Sequence, residues 1–350
     1  MSQLPSPHEI IKEFPLSLKQ KEFIAQARKE TVNILNGSNH RLLFIIGPCS
    51  IHHLAAAKEY ANRLKQLIAT VSDQFVIIMR TYFEKARTNT GWKGMLYDPH
   101  LTGSADIAKG IALSRKFLLE MANMQIPTAM EFLDPSTPLY LADLVTWGSI
   151  GARTVTSQIH RQMASGLDMP IAFKNSIEGN TCVAIQAISS AKAAHSFLGI
   201  NPKGHISQIQ TKGNPYGHIA LRGGENKTNY DPQSIEEITH ALKQADIHTR
   251  ILVDCSHDNC RGNYRNQEFV FNSIVEQSME NHCRIAGIIL ESYLEADKQD
   301  FSPGIVPKKN KSITDPCIGW EKTKALILQA YEKKHSLKPC PNTSLLSLTH

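Results

Sequence analysis

Short apolar segments alternate with amphipathic segments along most of this chain. Eight apolar runs of strand length recur at 41–48, 75–79, 127–133, 150–155, 169–173, 217–221, 250–254 and 285–290. Patterns with helical spacing separate most of them, notably 54–69, 104–124, 137–147, 157–166, 180–194, 234–245 and 266–281. Fully apolar strands that alternate with helices are typical of parallel sheets, and eight of them favour closure into a (β/α)8 TIM barrel, an α/β fold.

Two further segments flank or interrupt this alternation. Residues 16–36 have the apolar spacing of a helix, so residues 1–40 are predicted to form an N-terminal helical extension. Two strand-like pieces within 196–211 are predicted to form a β-hairpin inserted on the barrel. Because catalysis does not need this hairpin, we expect it to serve subunit contact or effector binding.

The length of the chain and the composition of its C-terminal tail indicate how many domains to expect. A (β/α)8 barrel takes about 250 residues, and the chain has 350. We predict one catalytic barrel domain over 1–350, with the barrel at 41–335 and the hairpin inside it. Residues 336–350 have no helical pattern and are expected to form a loose tail.

Charge and cysteine content exclude several classes of protein. The net charge of +6 is mild and no long block of like charges occurs, so no nucleic-acid partner is expected. No apolar run approaches the roughly 18 residues of a membrane span, and no membrane association is expected. Seven scattered cysteines without CxxC pairs indicate a reducing compartment, and we expect a cytoplasmic location.

Four residues that can bind a metal ion stand at or just beyond strand-like segments. They are Cys49, His257, Glu291 and Asp315. Because the strands of a barrel converge at their C-terminal ends, these four can hold one ion. Cys255 competes with His257, since strand alternation places both residues on the same face.

The mixed donor set predicts an open catalytic site rather than a structural zinc site. Structural zinc prefers thiolates and imidazoles at close spacing. One thiolate, one imidazole and two carboxylates from distant segments suit one divalent ion, with Mn²⁺ expected first and Fe²⁺, Co²⁺ or Zn²⁺ as alternatives.

Cations occupy the same kind of position on other strands. Arg80, Arg153, Lys174 and Arg222 each follow an apolar run. Since buried cations need partners and no equal set of acids accompanies them, the missing anions are expected to arrive with the substrates.

The loop at 80–94 concentrates further substrate-binding candidates, because Lys85, Arg87 and Thr88 can wrap a phosphate. Glu131 also ends a strand and can hold a water or pair with a cation. A Schiff-base sugar-phosphate aldolase that uses Lys174 is an alternative hypothesis for the function.

Nine strings together resemble the 3-deoxy-D-arabino-heptulosonate 7-phosphate (DAHP) synthases, in particular their type Iα branch, from about Leu4 to Lys334. The strings are RLLFIIGPCSIH, MRTYFEKARTNTGWKG, EFLDPSTPLYLADL, GSIGARTVTSQIHRQMASGL, FKN, GNPYGHIALRGG, VDCSH, GIILES and SITDPCIGWE. The related octulosonate 8-phosphate synthase shares the barrel but lacks the KxRTxxGWKG string, so it ranks second among enzymes.

The resemblance implies a reaction and assigns roles. Phosphoenolpyruvate adds through its methylene carbon to the aldehyde of erythrose 4-phosphate, water attacks the neighbouring carbon, and phosphate leaves, in the first step of the shikimate pathway. The matched metal ligands are Cys49, His257, Glu291 and Asp315. The matched phosphoenolpyruvate contacts are Arg80, Lys85, Arg153, Lys174 and Arg222. Arg87 and Thr88 match the contacts to the phosphate of erythrose 4-phosphate.

The catalytic residues expected from this match are Lys85, Cys49 and His257, with Lys85 as a candidate proton donor to the nascent alkoxide. Where the family usually has proline, between Lys85 and Arg87, this chain has Ala86. A looser loop should bind erythrose 4-phosphate more weakly.

The resemblance also implies feedback inhibition by one aromatic amino acid. The candidate effector residues are Asp134, Pro138 and Gly199, and we expect tyrosine because Gly199 leaves room for a phenol hydroxyl. A homodimer or homotetramer is expected. A non-catalytic paralogue that senses aromatic amino acids is the remaining alternative, which the intact ligand and cation positions disfavour.

Overall fold

The computed structural model describes residues 3–225, 227–280 and 284–336. The tail predicted at 336–350 lies outside these residues except for Ser336, which ends a helix. Within the described residues, no helix combines the length and the apolar character needed to cross a bilayer.

Eight parallel strands close into a barrel, which confirms the predicted (β/α)8 fold. The first barrel strand pairs with the second on one side and with the last on the other, and this pairing closes the sheet. The barrel strands are β1 (Leu42–Gly47), β2 (Phe75–Arg80), β3 (Thr128–Glu131), β4 (Trp147–Ile150), β5 (Ile171–Lys174), β8 (Gly217–Leu221), β9 (Ile251–Asp254) and β10 (Ile285–Tyr293).

Helices connect these strands and cover the barrel. Their bounds are α1 (Pro7–Glu13), α2 (Leu18–Leu35), α3 (Leu54–Val71), α4 (Ile107–Asn123), α5 (Thr137–Leu141), α6 (Gln158–Ser165), α7 (Cys182–Lys192), α8 (Pro232–Gln244), α9 (Gln267–Glu280) and α10 (Trp320–Ser336). A two-residue strand, β11 (Ile318–Gly319), adds to the end of β10. The predicted helices agree with these bounds within a few residues, except at α5.

Two hydrophobic clusters explain why the strands are apolar on both faces. A smaller cluster takes alternate residues of the barrel strands, among them Leu43 and Ile45 of β1. The other residues of β1, such as Phe44 and Ile46, belong to the larger cluster that also contains the covering helices. Strands packed on two sides cannot alternate apolar and polar residues, and this is the source of the continuous runs in the sequence.

The N-terminal extension closes one end of the barrel. Ile34 and Leu35, at the end of α2, pack in the smaller cluster with the barrel interior. The backbone N–H of Arg250, directly before β9, donates to the carbonyl of Leu35. These contacts place α2 at the amino ends of the strands, so the opposite end of the barrel stays available for a site.

The inserted hairpin forms as predicted between α7 and β8. Among the described residues, its strands β6 (Ser196–Ile200) and β7 (Ile206–Gln210) pair with no strand but each other, in antiparallel register. The turn of the hairpin contacts the N-terminal extension, because the N–H of His8 donates to the carbonyl of Pro202 at 2.8 Å.

The predicted strand at 150–155 and the predicted helix at 137–147 were wrong in their bounds. The strand β4 runs from Trp147 to Ile150, and α5 ends at Leu141 with one 3₁₀ turn after it. Gly148 interrupts the strand pattern in the sequence, but the fold requires it. A Cβ there would lie 2.5 Å from a methyl group of Ile171 and 2.9 Å from the ring of Phe132.

Candidate active site

Three of the four predicted metal ligands meet at the carboxyl ends of β1 and β10. Cys49 follows β1, Glu291 lies in β10, and Asp315 lies in the loop before β11. Their sulfur and carboxylate oxygens all lie within 4.8 Å of one another. The parallel pairing of Gly47 with Glu291 is what brings the first two together.

Lys85 supplies the positive charge at this cluster. Its Nζ lies 3.0 Å from the Cys49 sulfur and 3.3 Å from Oδ2 of Asp315. The charge of Lys85 holds the pKa of Asp315 well below its usual range. Burial, together with the carboxylates of Asp315 and Glu291, raises the pKa of the Cys49 thiol well above its usual value.

The donor set fits a divalent metal ion. A thiol and two carboxylates converge to a spacing that one ion can bridge after small side-chain adjustments, since metal–ligand distances are about 2.0–2.3 Å. Mixed sulfur and oxygen donors suit Mn²⁺, Fe²⁺, Co²⁺ or Zn²⁺ better than Mg²⁺ or Ca²⁺.

His257, the fourth predicted ligand, lines the same cavity but lies outside the three-residue cluster. Its Nδ1 lies 3.0 Å from Oδ2 of Asp254 and 2.7 Å from Oγ of Ser256. The competing residue Cys255 is buried and is absent from the cavity wall among the described residues. Of the two, His257 is the one whose side chain reaches the cavity.

A cavity of about 590 Å³ opens above the cluster at the carboxyl end of the barrel. Most predicted metal, catalytic and substrate-binding residues line it, namely Lys85, Arg87, Thr88, Glu131, Arg153, Arg222, His257, Glu291 and Asp315. Cys49, Arg80 and Lys174 lie buried directly behind this wall.

Arg80 is the most deeply buried cation of the site. Its Nη2 donates to Oε1 of Glu291 at 3.0 Å, and its Nε donates to the carbonyl of Pro48 at 3.3 Å. Its guanidinium also lies over the ring of Tyr82, 4.1 Å from the ring centre. The remaining nitrogen, Nη1, is buried and has no partner among the described residues. An unpaired buried donor of this kind is costly and suits an incoming anion.

Lys174 has an acidic partner of its own. Its Nζ lies 2.9 Å from Oδ2 of Asp254 and 4.0 Å from Oε2 of Glu131. Burial alone would lower the pKa of Lys174, but these two carboxylates raise it above its usual value. The amine is therefore held in its charged form.

Arg153 and Arg222 extend the positive charge along the cavity wall. Arg153 donates through Nε and Nη2 to the hydroxyl of Thr88, at 3.0 and 2.9 Å. Arg222 pairs closely with Asp258, on the 3₁₀ turn that also carries His257. The first contact ties the loop after β2 to the end of β4.

The loop after β2 turns back on itself to present Arg87 and Thr88. The N–H of Lys85 donates to the carbonyl of Lys93 at 2.9 Å and closes the base of the loop. Gly94 has a φ of +109°, and a Cβ there would lie 2.1 Å from the carbonyl oxygen of Phe83. Only glycine permits this close approach, and it explains the GWKG ending of the loop.

Several residues of the site were missed in the sequence. Asp254 joins His257 to Lys174, and although burial raises its pKa, the charges of these two partners hold it well below its usual range. Asp254 is the last residue of an apolar strand, and this position could have identified it as a site residue from the sequence. Gln267, which also lines the cavity, had no such signal, because a glutamine at the start of a helix is common.

A second cavity, of about 480 Å³, lies away from the barrel mouth. It is enclosed by the N-terminal segment, α4, α5 and the hairpin turn. Of the predicted effector residues, Asp134 lines it, whereas Pro138 and Gly199 are absent from its wall. A Cβ at Gly199 would meet Ile209 at 2.7 Å, so this glycine is required for packing within the hairpin.

The fold and the site define the protein as a (β/α)8-barrel enzyme with a cation-lined cavity over a cluster of thiol and carboxylate groups. Comparisons with known proteins give the family. Residues 13–328 match the model of the DAHP synthetase I family. The chain belongs to this family.

Individual relatives cover nearly the whole chain. The Tyr-sensitive phospho-2-dehydro-3-deoxyheptonate aldolase of Escherichia coli is 45% identical over 94% of this chain and 92% of its own length. The Trp-sensitive enzyme of the same species is 44% identical over 93% of this chain and 94% of its own length. The solved phospho-2-dehydro-3-deoxyheptonate aldolase of Francisella tularensis is 41% identical and superposes with a TM-score of 0.92, over 95% of this chain and 97% of that one.

Proposed function

We propose that the barrel mouth is where this chain carries out the family reaction, the condensation of phosphoenolpyruvate with erythrose 4-phosphate to DAHP and phosphate, with one divalent ion bound. One observation carries the proposal: a ligand cluster of Cys49, Glu291 and Asp315 lies under a cavity whose wall also carries one lysine and three arginines.

The cationic hydrogen-bond donors of the cavity suit this substrate pair. Two phosphate groups and a carboxylate bring about five negative charges near neutral pH. Arg80 offers an unpaired buried nitrogen, and Lys85, Arg153 and Arg222 face the cavity. We assign phosphoenolpyruvate to these residues together with Lys174. Fixed cations of this kind hold two anions close together and stabilise charge that develops between them.

The aldose phosphate is assigned to the outer loop. Arg87 and Thr88 line the same cavity, and Thr88 is already held by Arg153. A phosphate bound there would leave the aldehyde pointing towards Lys85 and the ligand cluster. Glu131, 4.0 Å from the Lys174 ammonium, is assigned to the other wall of the cavity, where it can orient a water.

The ion would be held by Cys49, Glu291, Asp315 and His257. Mn²⁺ is proposed first, with Fe²⁺, Co²⁺ or Zn²⁺ as alternatives. When bound, such an ion supplies a Lewis acid for the aldehyde oxygen or a site for the attacking water. His257 lines the same cavity, and Asp254 lies 3.0 Å from Nδ1 of its ring, as acidic partners of ligating histidines do.

Lys85 is proposed as the proton donor to the nascent alkoxide. Burial lowers its pKa, but Cys49 and Asp315 raise it well above its usual value, so the amine carries a proton throughout the neutral range. A Lys85→Met variant should lose turnover by several orders of magnitude while still binding Mn²⁺ in a calorimetric titration. Near-normal turnover in this variant would eliminate the role.

The Schiff-base alternative is disfavoured by the environment of Lys174. Imine formation needs a neutral amine, and enzymes provide it by lowering the lysine pKa. Here Asp254 and Glu131 raise it. Borohydride with substrate should leave no adduct on Lys174, and a trapped adduct in chelated enzyme would favour the aldolase instead.

A direct test of the activity separates the enzyme from a non-catalytic paralogue. The metal-loaded protein, mixed with both substrates, should release one phosphate for each DAHP formed. Either substrate alone should release none. A protein that binds aromatic amino acids but releases no phosphate would be the sensing paralogue.

The second cavity is proposed as the effector site, for one aromatic amino acid. Asp134 offers a carboxylate to an amino group, and Tyr97 and Tyr140 supply aromatic wall. We propose tyrosine as the effector. Since Gly199 is absent from the wall of this cavity, this choice rests on the family resemblance and on the Tyr-sensitive relative. Stronger inhibition by phenylalanine or tryptophan would overturn it.

We further propose a homodimer or homotetramer in the cytoplasm. The outer face of the hairpin exposes Leu198 and Ile206 by 78% and 77%, and a second copy of the chain would cover them. The described cysteines are free thiols, as a reducing compartment requires. Light scattering on the eluted protein should give two or four times the 39.0 kDa of the chain.

A further inference from the structure

The sulfur of Cys49 has hydrogen-bond partners that the proposed reaction does not use. The hydroxyl of Thr314 donates to this sulfur at 3.1 Å, and the backbone N–H of Asp315 donates to it at 3.3 Å. Thr314 is 6% exposed. A buried hydroxyl therefore touches the very atom that would bind the metal ion.

A second buried hydroxyl stands behind the first. Oγ of Ser50 lies 2.7 Å from Oγ1 of Thr314, and Ser50 is 1% exposed. Because Thr314 directs its proton to the sulfur, Ser50 is the donor of this pair. The two residues form a directed chain from Ser50 through Thr314 to Cys49.

Such a chain affects a metal-bound sulfur in two ways. A hydrogen bond fixes the direction of the sulfur lone pairs, and the fixed direction raises affinity for the ion. The same bond withdraws electron density from a thiolate, and this weakens its preference for thiophilic ions relative to harder ones. Two of the three other proposed ligands, the carboxylates of Glu291 and Asp315, already favour harder ions.

We propose that Thr314, supported by Ser50, is a positioning residue that orients the Cys49 sulfur and sets the preference of the site between Mn²⁺ and thiophilic ions such as Zn²⁺. This inference rests on the proposed metal site. A purely structural role would be served by the backbone of Thr314, whose N–H donates to Oγ of Ser312 at 3.2 Å independently of the side chain.

The test replaces the hydroxyl by a methyl group of similar size, in Thr314→Val, and follows the metal spectroscopically in the full-length protein. Co²⁺ bound to a thiolate gives a sulfur-to-metal charge-transfer band. In the variant this band should move to longer wavelength. The Kd for Mn²⁺ should rise about tenfold. The Kd for Zn²⁺ should rise less, so the ratio of the two Kd values shifts towards zinc.

Thr323→Val is the matched control. Thr323 is also buried and also pairs with a serine hydroxyl, Oγ of Ser292 at 2.5 Å, without touching Cys49. It should lose stability without any change in the cobalt band. Thr314→Ser, which keeps the hydroxyl, should restore the band and the Mn²⁺ affinity towards wild-type values.

The outcomes separate two failures. A wild-type protein with no sulfur-to-cobalt band would overturn the metal site itself and this inference with it. A wild-type band that Thr314→Val leaves in place, with an unchanged ratio of Kd values, would overturn this inference alone. If Thr314→Val does not fold, Ser50→Ala provides the same readout, with a smaller shift expected in the same direction and an unchanged band counting against the proposal.

Discussion

His53 directly precedes α3, and its contacts show what the position does. Its Nδ1 accepts the N–H of Ala56 at 3.2 Å and so caps the amino end of α3. Aspartate does the same with a negative charge that also favours this end of a helix. His53 therefore stabilises the start of the helix that follows β1.

Ala86 is the residue-scale feature with a kinetic consequence. It lies on the cavity wall directly after Lys85. Proline at this position would lower the conformational entropy of the loop in the free enzyme. The entropic cost of ordering the loop on binding would then fall by about 0.4–1 kcal/mol. Ala86→Pro should therefore lower the KM for erythrose 4-phosphate by about two- to fivefold.

Steady-state kinetics with each substrate varied in turn checks this prediction. The KM for phosphoenolpyruvate is the internal control and should change less, because Arg80 and Lys174, two of its proposed contacts, lie in the barrel strands β2 and β5. An unchanged KM for erythrose 4-phosphate would contradict the loop argument.

At the scale of elements, the end of β10 extends beyond its neighbour β9. Its pairing with β9 stops at Ile289, two residues before Glu291. Beyond that point, the side-chain amide of Gln267, at the start of α9, bonds to the backbone of β10 in place of a strand. Its Oε1 accepts the N–H of Glu291 at 2.9 Å, and its Nε2 donates to the carbonyl of Glu291 at 3.2 Å. The orientation of Glu291 therefore depends on a helix.

Gln267→Leu should weaken Mn²⁺ binding about tenfold, because the backbone that carries Glu291 loses its support. It should also destabilise the fold by roughly 1–3 kcal/mol, since two buried backbone groups lose their partners. Calorimetric titration and urea unfolding measure the two effects.

Gln277→Leu is the control for Gln267→Leu. Gln277 lies on the same helix and donates to the carbonyl of Tyr230 at 2.8 Å, away from the cavity. This variant should keep the wild-type Mn²⁺ affinity. Equal losses of affinity in both variants would mean that α9 acts only through overall stability.

Element prediction succeeded where apolar spacing carried the signal and failed where packing overrode it. The barrel strands were visible because they are buried on both faces, but β4 was misplaced because Gly148 is needed for packing. The helix α1 was missed although Ser6 and Glu9 form a capping box with Pro7 between them, a recognisable start signal. Gln267 could not be foreseen, since its role depends on where β9 ends.

At the scale of the whole molecule, the barrel geometry made the site predictable. Parallel strands converge at their carboxyl ends, so polar residues at distant strand ends had to approach one another. Cys49, Glu291 and Asp315 do so. The hydroxyl chain through Thr314 was not predictable, because it depends on the path of the loop that carries Asp315.

A buried histidine makes the stability of the whole fold sensitive to acid. His218 is 0% exposed, and its Nε2 accepts the indole N–H of Trp147 at 3.0 Å. Its Nδ1 therefore carries the proton and donates to the carbonyl of Tyr216 at 3.1 Å. Burial lowers the pKa of His218 to about 4. Between the unfolded value of 6.5 and about 4, the unfolded chain takes up a proton that the folded protein does not.

Stability should accordingly fall as the pH drops through this window, by roughly 2–3 kcal/mol from this group between pH 7 and pH 4.5. Urea unfolding at the two pH values measures the loss. His218→Gln, which cannot titrate, should show a pH difference smaller by that amount, whatever its stability at pH 7. An equal acid sensitivity in the variant would assign the effect to other groups.

The most direct test of the account is to remove the metal and return it. The protein is treated with a chelator, mixed with phosphoenolpyruvate and erythrose 4-phosphate, and the loss of enol absorbance is followed before and after addition of Mn²⁺. The chelated protein should consume no phosphoenolpyruvate, Mn²⁺ should restore turnover, and a Cys49→Ala variant should stay inactive under both conditions. Turnover by the chelated protein at the rate of the Mn²⁺-loaded protein would contradict the account.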